Sequence, residues 1–148
     1  MPSPNQNDPQ TSIELRLRTM RILWIGMILS MAMFEVFTLV RGQSETTVPN
    51  QTVSLALLVG TMMAALVSFP IKSKLLGSAV EQQQTGMVQQ AYVVAWAITE
   101  VGALLSLVDF FLTGNHYYFV GLLIAGCVLL LHFPRREHVI NAAFKNTL

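Results

Sequence analysis

Residues 91–112 read AYVVAWAITEVGALLSLVDFFL, and where such a stretch can be housed decides the fold. Glu100 and Asp109 are its only charged residues. As a helix it extends about 33 Å at about 1.5 Å per residue, enough to cross a hydrocarbon core of about 30 Å. Apolar and polar residues do not alternate with period two, so a barrel strand is excluded. A helix satisfies every backbone amide and carbonyl without water.

Three further apolar runs lie outward from this one, at residues 20–40, 52–69 and 117–133. The last is the shortest and opens on Tyr117 and Tyr118, an aromatic pair suited to a membrane rim. The whole chain agrees: of its 148 residues 53% are hydrophobic and 11% charged, against about 25% charged in a soluble domain. The expected fold is therefore all-α, an integral membrane four-helix bundle with the lipid bilayer as its surroundings. A single cysteine, Cys127, excludes a disulfide scaffold, and a net charge of +1 leaves no field for nucleic acid.

Threading four spans sorts the basic residues. Arg16, Arg18, Arg21, Lys72, Lys74, Arg135, Arg136 and Lys145 fall on one side and Arg41 alone on the other. The positive-inside bias then places both termini and the 70–90 loop in the cytoplasm, with the 41–51 loop and the turn Gly114-Asn115-His116 outside. The first twelve residues are polar and proline-bearing, so no cleavable signal peptide fits and the first span serves as the insertion signal. A cytoplasmic (inner) membrane location follows from this threading of a compact chain.

Outside the spans the expectations are plainer. Residues 1–12 form a disordered polar tail, with Thr11 and Glu14 at capping-box spacing for a helix that runs through Leu15 and Leu17 into the first span. The inner loop carries Gln82, Gln83, Gln84, Gln89 and Gln90, which either lengthen the third helix or stay a flexible connection. In the 134–148 tail, Val139, Ile140, Ala143 and Phe144 share a helical face opposite Arg135, Arg136 and Lys145, which suits a short helix at the inner interface. The second and fourth spans both end in Phe-Pro, at Phe69-Pro70 and Phe133-Pro134. That echo would suit two duplicated helical hairpins, with chance recurrence of a helix-stopping proline as the simpler account.

The chemistry-bearing candidates are the acids inside the spans. Glu100 sits about 14 Å into its helix, near the bilayer middle, where a lone carboxylate is costly and the neutral acid is favoured. It can act as a hydrogen-bond donor between helices or as a proton or cation site. Ser30, Thr61 and Cys127 lie at a similar depth and are its expected polar partners. Glu35 and Asp109 are secondary membrane acids, with Asp109 expected at the outer rim near His116. His132, beside Arg135, is expected as a boundary residue. The three histidines have no metal-site spacing, and no metal, cofactor, nucleophile–base pair or phosphate loop is expected.

Packing residues form the most regular pattern. Ala56, Gly60, Ala64 and Ser68 recur every four residues on the second span, a smooth ridge for close helix approach. Shorter pairs occur at Gly26 and Ser30, Gly102 and Ser106, and Gly121 and Ala125. Trp96 precedes Glu100 by one turn, as a packing residue or a shield for the acid.

The segment around Glu100, ITEVGALLSLV, resembles the carboxylate-bearing helix of proteolipid (c-type) subunits of rotary ATPases over about a dozen residues. That resemblance implies Glu100 as an ion carboxylate in a ring-forming subunit. The glycine-rich inner helix of that family has no counterpart here, and four-span members carry their acid in the fourth span, where this chain has none. The expected activity is that of a non-enzymatic subunit or accessory protein working through helix–helix contacts, with itself or with other membrane subunits. Proton or cation translocation at Glu100 is the alternative.

Overall fold

The computed structural model describes residues 9–42 and 50–144. Among them the chain is all-α, with five helices: α1 (Pro9–Arg41), α2 (Gln51–Glu81), α3 (Thr85–Thr113), α4 (Tyr117–Leu131) and α5 (Arg136–Ala143). Helices α1, α2 and α3 are long and apolar enough to cross a membrane; α4 reaches that length only together with α5, across a 47° bend. The distribution of side chains is inverted relative to a water-soluble bundle. Ser54, Thr61, Thr99, Ser106, Asp109 and His132 are buried, while Ile22, Leu29, Met33, Leu66, Leu123 and Leu131 are exposed. Such a surface needs an apolar solvent, and the chain is a small polytopic membrane protein.

Helix α3 is the hub. It packs most extensively on α2 and also against α4, α1 and α5, whereas α1 lies beside α3 and α4 and not beside α2. The hairpin pairing suggested by the Phe-Pro echo is thus not the arrangement of the bundle: the most intimate neighbours are α2 and α3. The reason is steric. The ideal Cβ position on Gly102 lies 3.4 Å from both Thr61 Cγ2 and the Thr61 carbonyl oxygen, and 3.6 Å from Ala64 Cβ, so small residues let these two backbones approach. Gly121 does the same for α4, where a Cβ would run into Ser106.

At one end, Ile13, Leu17 and Met20 of α1 cluster with Ala79 of α2, Val88 and Tyr92 of α3, and Val139 and Ala142 of α5. The start of α1, the α2–α3 turn and the last helix therefore share that end.

Several boundaries differ from those expected. In α1, described from Pro9, Thr11 is already within the helix and does not cap it. The remainder of the expected polar tail, residues 1–8, lies outside the described residues, as do 43–49 of the outer loop and Lys145. Pro70 does not end the second span: α2 runs through it to Glu81. Proline removes one amide from the ladder, and the turns beyond it are held by burial of Ala79. The expected 70–90 loop shrinks to Gln82, Gln83 and Gln84, with Gln89 and Gln90 lengthening α3 at its N-terminal end.

That turn is a Schellman closure, with Gln84 N–H donating to the Ala79 carbonyl at 3.0 Å and Gln83 N–H to Val80 at 3.3 Å. Gln83 takes φ 52°, the left-handed position that glycine usually fills. Helix α4 stops at Leu131, two residues early, as His132 and Phe133 tighten the last turn before Pro134. The expected tail helix forms as α5. Its Val139 and Ala142 are buried against the bundle, while Phe144 is its exposed C-cap.

Candidate functional site

Glu100, half-buried on α3, accepts a hydrogen bond from Ser30 Oγ of α1 at 3.1 Å. Its second oxygen has no hydrogen-bond partner among the described residues. The acid lines a groove of about 250 Å³ between α1 and α3, walled by Leu23, Met27, Val93, Trp96 and Ala97. The arrangement can join α1 to α3 or hold a proton or small cation at the free oxygen.

Of the three partners expected for Glu100, only Ser30 is brought to it. Thr61 Oγ1 instead donates within α2–α3, 2.9 Å from the Gly102 carbonyl and 3.2 Å from Ser106 Oγ. Cys127 is exposed and lines a separate groove between α1 and α4, together with Gly126 and Glu35. Glu35 is partly buried there, and its carboxylate has no hydrogen-bond partner among the described residues.

Asp109 sits one turn before the end of α3, and its side chain faces the bundle interior. It is 1% exposed, and its carboxylate accepts from Ser54 Oγ at 2.6 Å and from Thr113 Oγ1 at 2.7 Å. Depth along the helix suggested an interfacial side chain; rotation about the helix axis turns it inward onto α2. The ridge on α2 is likewise rotated relative to the bundle. Ser68 is buried, Gly60 and Ala64 are half-buried, and Ala56 is exposed. The face that packs runs through Ser54, Thr61, Ala65 and Ser68, closer to a seven-residue spacing than to a four-residue one.

A further polar centre lies at the α5 end. His132 is fully buried; its Nε2 is 3.2 Å from Ser68 Oγ and its ring meets Phe69 edge-on at 4.5 Å. Ser68 has one hydroxyl proton, directed 2.6 Å to the Ala65 carbonyl. The serine oxygen is then left to accept from Nε2–H. That makes Nδ1 the bare nitrogen, buried without a partner among the described residues.

Close by, Tyr92 Oη accepts from the Arg135 amide at 3.1 Å and lies 2.6 Å from His138 Nδ1. Lys72 Nζ stands 4.9 Å from the centre of the same ring. Burial, and then the charges of Lys72 and Arg135, lower the pKa of His138 below its usual 6.5, with Glu137 opposing. No spacing rule reveals this centre, because its members come from α2, α3, α5 and the link before α5. Trp96 is neither a plain packing residue nor a shield alone: its indole N–H donates to the His132 carbonyl at 3.1 Å.

Among the described residues no group of three or more metal-ligating side chains comes together. Comparison with family models, curated proteins and solved structures finds no match for the chain.

Proposed function

We propose that the chain is a four-span inner-membrane protein with both ends in the cytoplasm. It acts as a non-enzymatic subunit or accessory protein through helix–helix contacts with another copy or another membrane subunit. The looseness of α1 carries this reading: 11% of its most apolar window is buried inside the bundle, against 44% for α3. Ile22, Ile25, Leu29, Met33 and Val36 of α1 are left facing outward. The exposed Ala56 end of the α2 ridge offers a second smooth surface.

Photo-crosslinking residues placed at Leu29 and Met33 in native membranes test the reading. Adducts of discrete protein mass are expected, and lipid adducts alone at both positions would overturn it.

A second reading, proton or cation translocation at Glu100, is favoured by the carboxylate oxygen left unpaired among the described residues and by its adjoining groove, and it includes the proteolipid-like ring subunit. Glu100→Gln separates the two readings. Glutamine keeps a hydrogen-bond acceptor for Ser30, so a structural role leaves assembly and function intact, whereas ion handling is abolished in a protein that still assembles.

A further inference from the structure

The end of the bundle that carries α5 concentrates positive charge around one buried phenol. Tyr92 has no exposed surface, yet its ring and hydroxyl gather groups from three parts of the chain: Lys72 of α2 over the ring, the Arg135 amide on the oxygen, and His138 of α5 against it. Lys72 and Arg135 are close enough for their charges to oppose one another. Among the described residues neither is paired with a carboxylate. The nearby acid is Glu137, which acts on His138. A neutral phenol can hold an ammonium over its face but cannot cancel its charge, so two cations lie within electrostatic reach of each other with no carboxylate partner among the described residues.

The surroundings indicate what supplies that charge. Phe69, one turn before Lys72 on α2, is 38% exposed and meets His132 edge-on; Leu131 and Phe133, which flank that histidine in sequence, are 65% and 41% exposed, and the Phe133 ring also packs against Trp24 and lies under Arg21 of α1. Apolar surface therefore begins at Phe69, within one helical turn of Lys72. A free anion would use only the charges; a molecule with a phosphate head and hydrocarbon chains would use both.

The geometry points to a phosphate-binding site made by Lys72 over the Tyr92 ring and by Arg135, whose backbone the same phenol holds, filled by the headgroup of an anionic phospholipid whose chains lie along the apolar surface that begins at Phe69. Tyr92 is a positioning residue, holding the Lys72 ammonium by its ring and the Arg135 backbone by its oxygen. His138 reports on the site because it senses both cations. The site does not depend on which subunit or ion the protein serves.

The test uses the full-length protein in nanodiscs of phosphatidylcholine with or without phosphatidylglycerol, read by native mass spectrometry of retained lipid. Phosphatidylglycerol is expected to stay bound in preference to phosphatidylcholine. Lys72→Gln and Arg135→Gln each weaken that preference about fivefold, the worth of one basic residue near an anionic surface. Lys72→Arg keeps it. Lys74→Gln, an exposed charge on the same helix, leaves it unchanged. As an independent readout on the unaltered protein, phosphatidylglycerol raises the His138 pKa measured by NMR, because a bound anion offsets the two cations.

Equal retention of the two lipids would overturn the site. So would a loss with Lys74→Gln matching that with Lys72→Gln, which would mean diffuse surface charge. A His138 response to inorganic phosphate as strong as that to the lipid would reassign the site to a free anion and overturn the lipid headgroup as its occupant.

Discussion

The indole N–H of Trp24 donates to the backbone carbonyl of Leu129 across 2.9 Å, fastening α1 to the place where α4 ends. Trp96 does the same from α3 to the His132 carbonyl. The Leu129 carbonyl also accepts the His132 amide at 3.1 Å, so the Trp24 indole supplies its second donor, and inside a membrane no water takes that place. Trp24→Phe keeps an aromatic ring of smaller volume and removes the donor. It is expected to destabilise the protein by about 1 kcal/mol in detergent unfolding, with faster hydrogen exchange at residues 129–133. Unchanged exchange there would show that the indole does not hold the helix end.

Asp109 joins α2 to α3 through Ser54. Asp109→Ala leaves the buried Ser54 and Thr113 hydroxyls without this acceptor and is expected to cost about 1–3 kcal/mol. Asp109→Asn, which retains one acceptor oxygen, should cost less. Equal stability of all three proteins would show that the Asp109 carboxylate does not clamp α2 to α3.

Two glycines give opposite outcomes under one substitution. A Cβ on Gly121 would run into the Ser106 hydroxyl and lie 3.1 Å from Ser106 Cβ, whereas nothing lies within 4 Å of one on Gly26. Gly121→Ala should lower the midpoint of thermal unfolding by forcing α4 away from α3. Gly26→Ala should raise stability by about 0.5–1 kcal/mol through helix propensity. The same sign at both sites would contradict the packing described.

Gln83 occupies a left-handed position with a side chain attached. Gln83→Gly relieves a cost of about 1 kcal/mol and is expected to stabilise the α2–α3 hairpin by that order in chemical denaturation. A destabilised Gln83→Gly protein would argue against the Schellman turn.

His138 makes stability depend on pH. Its folded pKa is lowered from 6.5, so at mildly acidic pH the unfolded chain binds the proton that the folded one rejects. The contribution is full above about pH 6.5 and is lost as pH falls below it toward the folded value. Thermal unfolding followed from pH 7.5 to 5 should show declining stability, with a smaller decline in His138→Gln. Identical slopes for the two proteins would remove His138 as a source.

Much of the architecture was legible before any tertiary contact was known. Apolar runs marked the long helices, and Gly114 marked the turn after α3 because its left-handed φ of 59° suits glycine. The amphipathic tail also formed a helix. Pro70 misled because proline stops helices in water more readily than inside a packed membrane bundle. The turn at Gln83 was hidden because a glutamine fills a glycine's place there. Ser30 and Glu100 met as their matching depths suggested, but Thr61 turned to Gly102, since depth says nothing about which side of a helix a residue occupies.

The chain's own composition determined its solvent: too few charges and long uninterrupted apolar runs compel helices in oil, a matter of backbone hydrogen bonds and transfer free energy that needs no knowledge of neighbours. Which helices touch, and therefore whether an acid such as Asp109 is clasped or an acid such as Glu35 is left without a partner among the described residues, was decided only when the helices packed. Close approach at Gly102 and Gly121 selects the contacts, and contact between distant segments is what gathers Lys72, Tyr92, Arg135 and His138 into one place.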